Sequence, residues 1–150
     1  MLHKAYRYAI SYFLLFSILL LLSSAVIFAD KIGFSYESVL HYYLGDKATF
    51  TSAKTYAGLL KIILPHIFAF GLFAMVVLHF MIFTKKHNTK EIAFIILLTF
   101  LSAFLELFSP FLILAGFSFF VYMKIISFFL FQGTLLYILF ILFKSIIYNK

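Results

Sequence analysis

The chain has 150 residues, room for one domain, but at 65% hydrophobic, 11% charged and mean hydropathy +1.13 it is far from a water-soluble composition. Folded in water it would expose large apolar patches, so lipid is the simpler setting, and the net charge of +7 brackets apolar runs instead of forming a basic face for nucleic acid. With no cysteine, disulfides, thiolate zinc sites, iron–sulfur clusters and cysteine nucleophiles are excluded.

A helix needs about 20 apolar residues to cross the hydrocarbon core. The first such run, 8–29, carries no charge between Arg7 and Asp30. Its basic start and its Ser23-Ser24-Ala25 segment also fit a cleavable signal peptide, but a run of about 22 residues is long enough to stay in the bilayer, and retention is expected. In the loop that follows, Tyr36, Val39, Leu40, Tyr43 and Leu44 recur at helical spacing, with Ser35 placed to cap the start and Gly45 the end. This predicts a short amphipathic helix on the membrane surface. Thr51-Ser52 offers the next helix start, feeding a span over 58–83. A long stretch from 92 onward is interrupted by Pro110 and Gly116, so a reversal near 109–118 is expected to divide it into spans 92–114 and 118–143. Gly71 and Gly133 are expected to permit close helix packing. The fold class predicted is all-α: a single transmembrane domain over 1–150, a four-helix bundle with an interfacial helix in the first outer loop.

Orientation follows from positive charge beside short loops. Lys4 and Arg7, then Lys85, Lys86 and Lys90, then Lys144 and Lys150 all fall on one side, as cytoplasmic segments should, while the 30–57 loop mixes both signs. Tyrosines gather near the interfaces, Tyr148 among them. The richness in Phe, Ile, Leu, Tyr and Lys suits an AT-rich bacterial genome, which gives a bacterial inner (cytoplasmic) membrane with both termini cytoplasmic.

Side chains that break the apolar pattern carry the functional information, because backbone groups in hydrocarbon satisfy themselves. Glu106 lies roughly 21 Å along span three at 1.5 Å per residue, with Thr99 and Ser102 on the same face. Lys124, at the outer start of span four, falls at a similar depth, so a pair across the hairpin is expected; pairing or protonation would relieve the cost of a lone carboxylate. Pro65 frees the carbonyl of Lys61 and places His66 at a kinked turn in the same leaflet. His66, Glu106, Lys124, His41 and Lys61 form the candidate polar site. Glu37 and His41, four apart, suit a stabilising surface pair better than a metal site.

His66 and His79 are the other ionisable groups of note, about 20 Å apart along one helix. Histidines at two depths resemble the haem helices of b-type cytochromes, and that resemblance, confined to this helix, implies haem b ligated by His66 and His79. About 140° separates the two on the helical wheel, so each would need a second ligand, with His41 for His66, His87 or His3 for His79, or a symmetry-related copy as candidates. In architecture the chain resembles the small, uncharacterised four-helix proteins of bacterial inner membranes, which transfers no chemistry. Phosphate-loop, GxGxxG, HExxH and GxSxG motifs are missing, which argues against a self-contained hydrolase or kinase. The leading expectation is a non-catalytic accessory or assembly subunit that meets protein partners or its own copies. A b-type haem electron carrier and a small proton-linked transporter using Glu106 and Lys124 are the alternatives.

Overall fold

Backbone amides and carbonyls in hydrocarbon must bond within their own segment, which restricts an apolar chain to helices. The computed structural model, which describes residues 4–84 and 89–148, is helical throughout those residues apart from loops and one isolated bridge. In order come α1 (Lys4–Lys31), α2 (Tyr36–Leu44), α3 (Tyr56–Met81), α4 (Lys90–Leu114) and α5 (Phe120–Tyr148). All but α2 are long and apolar enough to cross a bilayer, with mean hydropathy of 2.2 to 2.5. The protein is a multi-pass membrane bundle. His3, Lys85, Lys86, His87, Lys150 and the side chain of Tyr148 lie outside the described residues.

The helix ends follow local chemistry. The amides of Ile32 and Gly33 both donate to the Phe28 carbonyl, closing α1 with Gly33 at φ +80°. Ser35 then caps α2: its hydroxyl accepts from the Ser38 amide at 3.1 Å, and its own amide donates to Ser38 Oγ at 3.2 Å, a reciprocal capping box. Gly45 ends α2 at φ +79°, as expected from the sequence. The apolar face of α2, Val39 and Tyr43, packs onto the end of the bundle against Leu59, Ile63, Leu107 and Val121 instead of facing lipid.

One boundary differs from expectation. Thr51 does not start a helix: its amide and carbonyl close a tight turn with Asp46, and α3 begins after Thr55, whose hydroxyl accepts from the Gly58 amide. α4 passes through Pro110, ends at Leu114 and reverses at Ala115 and Gly116 (φ +95°). A proline is tolerated inside a transmembrane helix when a neighbour satisfies the carbonyl it frees, and that neighbour is described below.

α4 and α5 form a tight antiparallel hairpin, and α5 is the central helix: 56% of its apolar window is buried, against 11% for α3. α1 lies along α5, where Phe28 stacks on Phe128 with ring centroids 3.9 Å apart, and α3 lies along α4. α1 and α3 meet through rings toward the termini end: Phe13 on Phe80 at 4.9 Å and Tyr6 on Phe83 at 5.9 Å. A Cβ added at Gly71 or Gly133 would meet nothing within 4 Å, so the expected close packing through these glycines does not occur. Lys4, Arg7, Lys90 and Lys144 share one end of the bundle, and α2 with its following loop covers the other.

Candidate functional site

The polar centre grows out of Pro110. Lacking an N–H, a proline leaves the carbonyl four residues earlier without its helical donor, and here that residue is Glu106. Lys124, reaching across from α5, donates to this orphaned carbonyl at 2.8 Å and also to Oε1 of the Glu106 carboxylate. One ammonium thus answers both the backbone defect and the buried charge. The side chains are 5% and 13% exposed respectively, so the pair belongs to the interior of the hairpin. Next to it, Ser109 Oγ donates back to the Leu105 carbonyl, and Ser127 Oγ donates to the Lys124 carbonyl at 3.1 Å. The polar stripe of Thr99 and Ser102 is buried too, each hydroxyl donating to its own helix.

Pro65 does not break α3, and His66 follows it with Nδ1 2.6 Å from the Ile62 carbonyl. A carbonyl only accepts, so this bond assigns the proton to Nδ1 and leaves Nε2 as an acceptor in neutral His66. Tyr43 arrives from α2. It is 3% exposed, and burial, followed by the Glu106 charge, holds its phenol well above the usual tyrosine range. Lys54, exposed at the rim, sits 4.8 Å over the Tyr42 ring, and its amide donates to the Tyr43 carbonyl at 2.9 Å.

These groups line a small cavity of about 100 Å³ shared by His66, Glu106, Lys124, Tyr43 and Lys54. A larger one of about 330 Å³ lies between α1, α3 and α5, walled by Phe28, Phe70, Phe73, Phe128 and Phe131 with Ser23, Ser24 and Gln132. Glu106, His66 and Ile32 line both, so the polar chamber and the apolar chamber meet at the carboxylate.

His66, Glu106 and Lys124 are therefore brought together. His41 and Lys61 are not: Lys61 is exposed on α3, and His41 Nδ1 lies 3.9 Å from Asp46 Oδ2 on the far side of α2. Asp46 itself is held below the usual carboxylate range, chiefly by the backbone amide of Ala48. His79 is exposed near the other end of α3, against Phe80 and Phe83, and lines neither cavity. Among the described residues no group of three or more His, Asp or Glu is placed to hold a metal ion. Tyr43 is the member that sequence reasoning missed. Its position four residues after Val39 put it on the inward face of α2, but only the folding of α2 over the bundle aims it at Glu106.

A family model described as a transmembrane helical domain matches residues 33–150, which takes in α2 to α5 and with them His66, Glu106 and Lys124. No curated protein and no solved structure matches the chain.

Proposed function

The chain belongs to this family of transmembrane helical domains, and on that premise we propose that it is a non-catalytic, accessory membrane subunit that binds an amphiphilic molecule at the Glu106 and Lys124 centre. The observation that carries this reading is the pair of adjoining chambers of opposite character, both lined by Glu106 and His66. Small-molecule sites are typically apolar cavities with a few converging polar groups, and about 330 Å³ falls in their range. We place it in a bacterial inner membrane with both termini cytoplasmic; Lys4, Arg7, Lys90 and Lys144 at one end of the bundle support this.

The alternatives need more than these groups supply. For haem, His66 and His79 each require a second axial ligand from outside α3. For proton-linked transport, a polar route must continue from Glu106 toward the termini, where Thr99, Ser102, Ser127 and Thr134 are buried with their hydroxyls bonded to their own helices.

The test is mass spectrometry of organic extracts from the purified protein. We expect one amphiphile at near-stoichiometric level in the native chain and its loss in Ala69→Phe, which fills the larger chamber. Identical extracts from both proteins would refute the reading.

A further inference from the structure

Resting on the amphiphile-binding reading above, we infer that the ligand is a single-chain molecule whose head is uncharged and carries a hydroxyl, entering sideways from the lipid between α1 and α3. The charge balance comes first. Within the walls of the small chamber the Glu106 carboxylate is matched by the Lys124 ammonium. The remaining cation, Lys54, stands at the exposed rim, where water screens it. An ionic head placed beside a neutralised buried pair would be an unpaired charge at membrane depth, which is costly.

Hydrogen-bonding capacity then narrows the head. Lys124 has three N–H groups; two go to Glu106, and one is left beside the chamber. His66 spends Nδ1 on the Ile62 carbonyl and keeps Nε2 as an acceptor. Glu106 keeps a second carboxylate oxygen. The chamber thus offers at least one donor and two acceptors. A hydroxyl, which both accepts and donates, answers them, whereas a quaternary ammonium does neither and a sulfate only accepts. The small volume of about 100 Å³ favours a compact head over a bulky one.

The tail route is set by small residues. On the α2 side, Ser23 and Ser24 of α1 face Ala69 of α3 across the large chamber, where bulkier side chains would have closed it. Toward the termini the same two helices are joined by Phe13 and Phe80. The opening therefore faces lipid in one half of the bilayer, and Ile27, 61% exposed, stands at its edge. Phe28, in the chamber wall, lies 5.9 Å from Lys124 Nζ and marks where tail gives way to head.

Because the chain has no tryptophan, Phe73→Trp places a single reporter in the large chamber. The protein in phosphatidylcholine nanodiscs is titrated with 11-bromo-1-undecanol, 11-bromoundecyl sulfate and 11-bromoundecyl-trimethylammonium, whose bromine quenches nearby tryptophan. Saturable quenching by the alcohol, at least tenfold tighter than by either ion, is expected. It should weaken about tenfold in His66→Phe, whose exposed position lets the chain fold, and vanish in Ala69→Phe. Competition by 1-dodecanol should displace the probe, which shows that the hydroxyl head and not the bromine is bound, and failure to displace it overturns the inference. An ion that binds as tightly as the alcohol overturns the uncharged hydroxyl head and leaves the binding reading standing. If none of the three quenches saturably, or if Ala69→Phe quenches like its parent, the binding reading falls with it.

Discussion

The sharpest consequence of the Pro110 defect concerns Lys124→Met. The substitution keeps a long apolar stem but strips two acceptors of their donor: the Glu106 carboxylate, 13% exposed, and the Glu106 carbonyl, which Pro110 cannot serve. Breaking one side of a buried ion pair costs about 3–5 kcal/mol. A lone carboxylate at depth costs roughly 2.5–3.5 kcal/mol on insertion scales, and protonation caps that penalty. We therefore expect a loss of about 3 kcal/mol. In Lys124→Met with Glu106→Leu the charge is gone and only the carbonyl remains unsatisfied, at about 1–3 kcal/mol, so the double variant should be the more stable of the two. Adding Pro110→Ala restores a backbone N–H to that carbonyl, and a cycle between Pro110→Ala and Lys124→Met should show a coupling of about 1 kcal/mol. Reversible SDS unfolding in dodecylmaltoside micelles, followed by circular dichroism, reads all of these. A loss under about 1 kcal/mol for Lys124→Met, or a double variant no better than the single one, would refute the reasoning.

Two further outcomes follow from α2. Gly45→Ala would force a side chain onto φ +79°, with its Cβ 2.5 Å from the Thr51 carbonyl oxygen and 2.7 Å from the Ala53 amide. Positive φ with ψ 171° is a region essentially restricted to glycine and costs about 1–3 kcal/mol, so hydrogen exchange of the Lys54 amide, bonded to the Tyr43 carbonyl, should accelerate clearly while α5 amides stay protected. Tyr43, its phenol raised by burial and then by Glu106, should ionise above the usual tyrosine range. Since the folded value lies above the unfolded one near 10, its contribution to α2 docking is complete below about pH 10 and fades as pH climbs through the folded value. An ultraviolet difference titration of the native chain against Tyr43→Phe should place the Tyr43 ionisation above the usual tyrosine range, and a difference that develops within that range would contradict this.

What was legible in the sequence is what hydrophobic period and charge decide locally. Four spans, the Ser35 and Gly45 caps and the meeting of Glu106 with Lys124 all follow from where apolar runs stop and where charges stand at equal depth. The remainder depended on partners distant in sequence. Pro110 marked the region of the reversal, but a carbonyl freed inside a helix is normally a liability, and only Lys124, on the next helix, makes it harmless. Thr51 and Thr55 are both competent caps, and the Asp46 turn decided between them. His41 seemed near His66 in leaflet terms, but the winding of α2 turned it toward Asp46 while Tyr43 took the inward place. The apolar chamber had no sequence signal, since Ser23, Ser24 and Ala69 become a cavity only once α1 and α3 stand apart.

Because the tie that closes the α4 and α5 hairpin is also the head-binding group, ligand and hairpin are thermodynamically linked. A ligand that accepts the third Lys124 hydrogen binds the folded hairpin and not the separated helices, so it must stabilise the bundle by an amount set by its concentration over its dissociation constant, about 2.7 kcal/mol at a hundredfold excess. That gain should vanish in the variant with Lys124→Met and Glu106→Leu, whose head site is gone, even where its bundle remains folded. It should survive in Gly45→Ala, where only the α2 lid is disturbed. A stabilisation by undecanol that is equal in all three backgrounds would mean that the alcohol acts on the surrounding lipid and not on this centre.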